Sequence, residues 1–209
     1  MSKIALSPNA SGTGTFTIAS PNSNTNSTLT LPEGTATLAT ERSGSIVQIQ
    51  HTQFTSTNTY SIDASSDAVI TDLEVTITPV YSDSIMMLDA YVYGEASDTS
   101  FTHDAVWFFY KSVGGGADTK LAHPTAGSRN VGVGSMAISY QQQSANTPDH
   151  VIYRYFDTVS STSSHTYKVG VGNGRAGAVT WYLNQIVSTS DARTSERMVS
   201  NITVTEIKA

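Results

Sequence analysis

Apolar and polar positions alternate with a period of two along most of the chain. The alternation breaks every ten or so residues at clusters of Ser, Thr, Asn, Asp, Gly or Pro. A period of two puts successive side chains on opposite faces of a strand. Strands are therefore predicted over 46–53, 58–62, 73–78, 85–94, 101–111, 131–140, 150–158, 167–171, 179–187 and 199–208. Pro79 stops the third of these, because a missing N–H ends ladder pairing. Asn173-Gly174 has the composition of a tight hairpin. In the last strand Ile202 and Val204 point inward and Asn201, Thr203 and Thr205 outward. No stretch of ten or more residues combines a helical period with a cap. Short strands at this spacing imply an all-β fold, a jelly-roll-like antiparallel β-sandwich.

Residues 105–111 depart from the usual pattern of one greasy face and one wet face. Val106, Phe108 and Tyr110 share one face; Ala105, Trp107 and Phe109 share the other. Residues 85–94 are also apolar on both faces, with Met86, Leu88 and Val92 against Ile85, Met87, Tyr91 and Tyr93. One face can fill the sandwich. The second needs another cover, expected to be a second copy of the chain; a loop or strand of the same chain is the alternative. Trp107, Phe109, Tyr91 and Tyr155 are the subunit-interface candidates.

Residues 1–42 stand apart as a small, extended β segment. Phe16 and Ile18, then Leu29 and Leu31, alternate with Thr, and a short run at 35–38 follows the turn Pro32-Glu-Gly34. So few apolar residues cannot bury enough surface to fold alone. The segment must dock on something, with Phe16, Ile18, Leu29 and Leu31 as its contacts. Ser43-Gly-Ser45 reads as a hinge, and 43–209 as the main β domain.

Composition narrows the function. Only 13% of the 209 residues are charged, about half the usual share, and Thr and Ser replace the helix-favouring Lys and Glu. The formal charge is −6 with no Lys/Arg cluster. That argues against a nucleic-acid partner and against attraction to anionic membranes. The absence of cysteine removes disulfides and thiolate chemistry. The first twenty residues hold one Lys and no apolar run of signal-peptide length. No run reaches the roughly 20 apolar residues of a membrane span. Synthesis in a cytoplasm, without membrane insertion, is the expectation.

No constellation points to catalysis, a metal or a cofactor. His51, His103, His123, His150 and His165 are scattered, where zinc needs three or four converging ligands. No Gly-x-Ser-x-Gly elbow occurs. Most carboxylates (Asp63, Asp67, Asp83, Asp98, Asp118) fall in turns, which Asp stabilises by bonding its own backbone. Gly170-Val-Gly-Asn-Gly174 lies between strands, with no helix to receive a phosphate. Whether a loop holds calcium stays open. Tyr140, Tyr153, Tyr155 and Tyr182 could stack on sugars at a tip, or serve as half-buried strand residues.

Two stretches carry a resemblance. Gly12-Thr-Gly-Thr-Phe-Thr-Ile-Ala-Ser-Pro-Asn22 with Ser27-Thr-Leu-Thr-Leu-Pro-Glu-Gly-Thr-Ala-Thr-Leu38 resembles a segment near the N-termini of tailed-phage fibre and virion proteins, marine phages especially. Gly44-Ser-Ile-Val-Gln48, Ile70-Thr-Asp-Leu-Glu-Val-Thr-Ile-Thr-Pro79, Ser84-Ile-Met-Met-Leu88, Thr166-Tyr-Lys-Val169-Gly-Val171 and Asn201-Ile-Thr-Val-Thr-Glu-Ile207 are similar to a β-sandwich module at the C-termini of such fibres. The resemblance implies a non-enzymatic virion structural protein, commonly a homotrimer, docked by 1–42 onto other tail or capsid proteins. It carries over no catalytic residue. A long fibre would have a shaft between the two parts, and this chain has none. A short tail fibre or fibre tip touching a host surface glycan or protein is expected. The alternatives are a capsid decoration or head-fibre protein, and a polysaccharide depolymerase. Loops at 96–102, 141–149 and 188–197 are where a receptor would be met.

Overall fold

The computed structural model describes residues 42–98, 100–136, 148–188, 190–193 and 195–209, with scattered positions of the N-terminal stretch (11–15, 17, 22–26 and 28). The chain divides into two compact units, Met1–Ala39 and Thr40–Ala209. The second is described below. Phe16, Ile18, Leu29 and Leu31 lie outside the described residues, as does Tyr140.

The domain is an antiparallel β-sandwich of the jelly-roll type. Its strands are β1 (Ile46–Phe54), β2 (Asn58–Ile62), β3 (Asp67–Ile77), β4 (Ile85–Ala96), β5 (Ala105–Val113), β6 (Thr119–Leu121), β7 (Asp149–Thr158), β8 (His165–Asn173), β9 (Val179–Leu183) and β10 (Ser200–Ile207). One short helix, α1 (Phe101–Asp104), precedes β5. The larger sheet runs β1-β10-β4-β9-β2, with β7 on β4; the smaller runs β3-β8-β5-β6.

The core lies between the sheets and is filled by the residues whose spacing predicted it. Met86, Leu88, Ala90 and Val92 of β4 and Ile202 and Val204 of β10 face Leu73, Val75 and Ile77 of β3 and Tyr167, Val169 and Val171 of β8. Aromatic rings tie the sheets together. Trp107 on β5 meets Trp181 on β9 edge-on at 5.3 Å, and Phe109 packs on Tyr153 of β7 at 4.7 Å. The Tyr153 hydroxyl donates to the Phe108 carbonyl, and burial pushes its ionisation well up. Asp157 of β7 accepts from Lys111 of β5 at 2.9 Å and from the Tyr167 hydroxyl at 2.8 Å.

The structure corrects several sequence expectations. Residues 101–104 form a helical turn, because Asp98 accepts from the Ser100 N–H and hydroxyl and bends the chain before β5. The expected strand at 131–140 is not one over 131–136, where a single bridge joins Gly134 to Trp107; 137–140 lie outside the described residues. Asn173-Gly174 is not a hairpin: β8 pairs with β3 and β5, and β9 with β2 and β4. The connection crosses between sheets, and the Asn173 amide holds it by donating to Asp63 O and Gly177 O. Ser43-Gly-Ser45 is no free hinge. Gly44 N–H donates to Lys208 O and Lys208 N–H to Ser45 O, tying the turn to the end of β10.

Asp98 adds a pH-dependent contact. Bonds from Ser100, and then the Arg175 guanidinium at 2.6 Å, hold its carboxyl down to about 2 from an ordinary 3.8. A depressed carboxyl stabilises the fold above its unfolded value and loses that contribution as pH falls through its folded value. The window is therefore pH 3.8 down to about 2. The side chain is 47% exposed, so water screens the effect. Asp98→Asn should lower the urea midpoint slightly above pH 4, with the difference from the unaltered protein closing towards pH 2.

Candidate interaction surface

Strand β5, apolar on both faces, is covered by its own chain. Trp107 and Phe109 are fully buried in the sandwich interior, so they are not interface residues. The opposite face is covered as well. Lys120 of β6 stands over the Phe108 ring at 3.8 Å, and Tyr110 meets that ring edge-on. Val133 and Gly134 N–H both donate to Trp107 O, laying the 131–134 backbone against β5. Glycines permit this approach. A Cβ at Gly132 would stand 2.7 Å from the Val106 Cβ, and one at Gly170 2.3 Å from the Phe108 ring. Tyr155 is also corrected: it pairs with Leu88 and packs on the core side.

The outer face of the larger sheet is the one the chain leaves apolar. Antiparallel register sets side chains of β1, β10, β4 and β7 in rows across it. Ile46, Ile207 and Ile85 begin one row. Ile49, Thr205, Met87 and Phe156 form the next. His51, Thr203, Asp89 and Arg154 form the third, and Gln53, Asn201, Tyr91 and Ile152 the fourth. Ile152 is 69% exposed, Ile46 63%, Phe156 57% and Ile49 53%. Tyr91, one of the four interface candidates, lies in the fourth row. The only charges among these rows' strand residues, Asp89 and Arg154, neutralise each other at 2.7 Å. The outer face of the smaller sheet is the contrast: Thr76 and Thr166 share a hydrogen bond and Lys168 pairs with Asp118 there.

The four rows cover roughly 20 by 20 Å, or about 400 Å², from strand spacings of about 4.8 Å and rises of about 3.3 Å, with the polar row of His51, Thr203, Asp89 and Arg154 crossing between the apolar ones. Three copies turning this face to a common axis would bury on the order of 1,200 Å² in total, about 400 Å² for each pair of copies, which is a weak contact by the standard of stable interfaces. β7 borders it and pairs only with β4 among the described residues. An edge strand with exposed ladder groups is a template for another chain.

Buried carboxylates act as internal acceptors. Glu206, fully buried, accepts from Val80 and Tyr81 N–H, the Ser84 hydroxyl and the Gln48 amide. Glu95 accepts from Val187 N–H. Among the described residues no three His, Asp or Glu side chains converge as a metal site would require. His165 is buried on Tyr167 with Nδ1 at Ser163 O; His51, His103, His123 and His150 are exposed and apart. No helix among the described residues is long and apolar enough to cross a membrane. Of the expected receptor loops, 96–102 carries buried Phe101 and Thr102, and 141–147 lies outside the described residues.

The sequence matches no protein-family model and no curated protein. Among solved structures, the Eiger TNF of S. frugiperda is similar at 12% identity and a TM-score of 0.39, over 77% of this chain and 93% of that one. A chain of the infectious bursal disease virus Gx strain is similar at 9% identity and a TM-score of 0.32, over 78% of this chain and 37% of that one. At those values the likeness fixes neither family nor function.

Proposed function

We propose that this protein is a non-enzymatic structural component that works as an assembly of copies, joined through the apolar outer face of β1, β10, β4 and β7. The observation that carries this reading is the exposure of Ile46, Ile49, Ile152 and Phe156 on one continuous sheet face. Antiparallel sheets commonly turn a polar face to water, and in the smaller sheet the apolar outer positions of β5 are covered by Lys120 and the 131–134 backbone. The finer identity comes from the sequence resemblance: a tailed-phage virion protein, a trimeric short tail fibre or fibre tip, with 1–42 as its docking segment. Capsid decoration is the second reading, favoured by the same compact sandwich on a docking segment. A depolymerase would need placed carboxylates in a groove, whereas the buried Glu206 and Asp157 are spent on the fold.

The test uses the face itself. Ile152→Asp and Phe156→Asp together put two charges on side chains that are mostly exposed within one copy, so the fold should hold. Sedimentation at tens of micromolar should show self-association lost while far-UV dichroism is unchanged. Unaltered association of the double variant would contradict the proposed surface.

A further inference from the structure

A polar cleft of about 390 Å³ opens at one end of the sandwich, between the turn before β3, strand β6, the 128–131 segment and the end of β8. Ser65, Ser66, Asp67, Lys120, Arg129 and Asn130 line it. Its size falls in the range of small-molecule sites. Two of the lining side chains, Asp67 and Asn130, bring acceptor oxygens close together. Asp67 Oδ1 and Asn130 Oδ1 each lie 2.7 Å from the point where a Cβ on residue 172 would stand, and Gly172 keeps that point empty. The Asn130 orientation is fixed by its amide nitrogen, which donates to Gly172 O at 3.1 Å and Asp104 O at 3.3 Å. Its oxygen is thus turned away from those carbonyls. Asp67 Oδ2 accepts from Lys120 at 2.9 Å, and neither Oδ1 has a hydrogen-bond donor among the described residues.

Two acceptors close together suit a pair of hydroxyl donors. They do not suit calcium, which takes six to eight oxygens and would face the Lys120 ammonium already on the Asp67 carboxylate. Arg129 supplies the second half of the chemistry. Its guanidinium has only a long contact to Ala126 O at 3.4 Å and no ion pair among the described residues. A chain of net charge −6 therefore offers one uncompensated cation in a cleft lined with hydroxyls. A guanidinium recognises carboxylate through charge-assisted, often bidentate bonds.

We propose that the cleft binds a carboxylated saccharide, its vicinal hydroxyls on Asp67 and Asn130 and its carboxylate on Arg129. The site is independent of self-association, since its residues belong to the smaller sheet and its end loops. Saturation-transfer NMR on the full chain tests it with D-galacturonate and D-galactose as probes. Galacturonate should bind more tightly than galactose. Arg129→Ala should weaken galacturonate about tenfold and leave galactose within about twofold. Asp67→Ala should weaken both sugars. Absence of transfer to either sugar from the folded protein overturns the proposal, and so does binding that both variants leave unchanged.

Discussion

Glu206→Ala lowers the thermal midpoint by about 8–16 °C, at about 2–4 °C per kcal/mol for a domain of this size. The reason is a count of donors. Val80 N–H at 2.8 Å, Tyr81 N–H at 3.2 Å and the Ser84 hydroxyl at 2.7 Å all converge on Oε1, and the Gln48 amide reaches Oε2 at 2.6 Å. Removing the acceptor unpairs four donors; the Ser84 bond is buried and the other three are part-buried, so the cost is set at the low end of about 1–3 kcal/mol each. The low end gives about 4 kcal/mol, in the range reserved for broken buried networks. Glu206→Gln is the control. An amide oxygen can keep the three donors on Oε1, so its loss should be less than half that of the alanine variant. Equal losses would show that cavity formation, and not donor satisfaction, sets the effect. Differential scanning calorimetry reads both.

Gly94→Ala costs about 3 kcal/mol or more and lowers the midpoint by about 6–12 °C. Gly94 pairs with Leu183 of β9 on one side and Asp149 of β7 on the other. A Cβ there would stand 2.3 Å from the Tyr182 carbonyl oxygen and 2.7 Å from the Trp181 ring. The carbonyl belongs to backbone and cannot rotate away. Trp181 in turn packs against Trp107 and Phe101, so the strain reaches the aromatic bridge between the sheets. Loss of near-UV dichroism from the tryptophans should accompany the lower midpoint. A midpoint within 2 °C of the unaltered protein would show that β4 and β9 separate at little cost.

Strand positions were largely legible from alternation. The predicted ends of β1, β2, β4, β7 and β10 fall within two residues of the observed ones, because Pro and Ser, Asn or Gly clusters punctuate them. Glu206 carried a signal too: it shares the phase of Ile202 and Val204. Three-residue β6 is too short to show a period. The first half of β3 was missed because the period slips there, at the register shift between Ile70 and Glu74.

The cover of β5 was illegible for a different reason. Its agents are absences of side chain: Gly132 and Gly170, where the Val106 Cβ, the Trp107 carbonyl and the Phe108 ring sit closer than any Cβ allows. Glycine inside a strand pattern can mark such close approach, but sequence does not say which element arrives. The exposed face had the opposite problem. Ile152 and Phe156 alternate with Val151 and Tyr153, and two apolar faces of one strand look alike until pairing with β4 decides which points inward. The cleft was hidden because Asp67, Lys120 and Asn130 are distant in sequence and meet only when β3, β6 and the 128–131 segment come together.

Self-association of the native chain is read most directly by sedimentation equilibrium from about 1 to 100 μM. The weight-average mass should climb above the 22.2 kDa of one copy, towards three times that value under the proposed symmetry. A folded protein that stays at 22.2 kDa across the whole range would contradict an assembly built on this face.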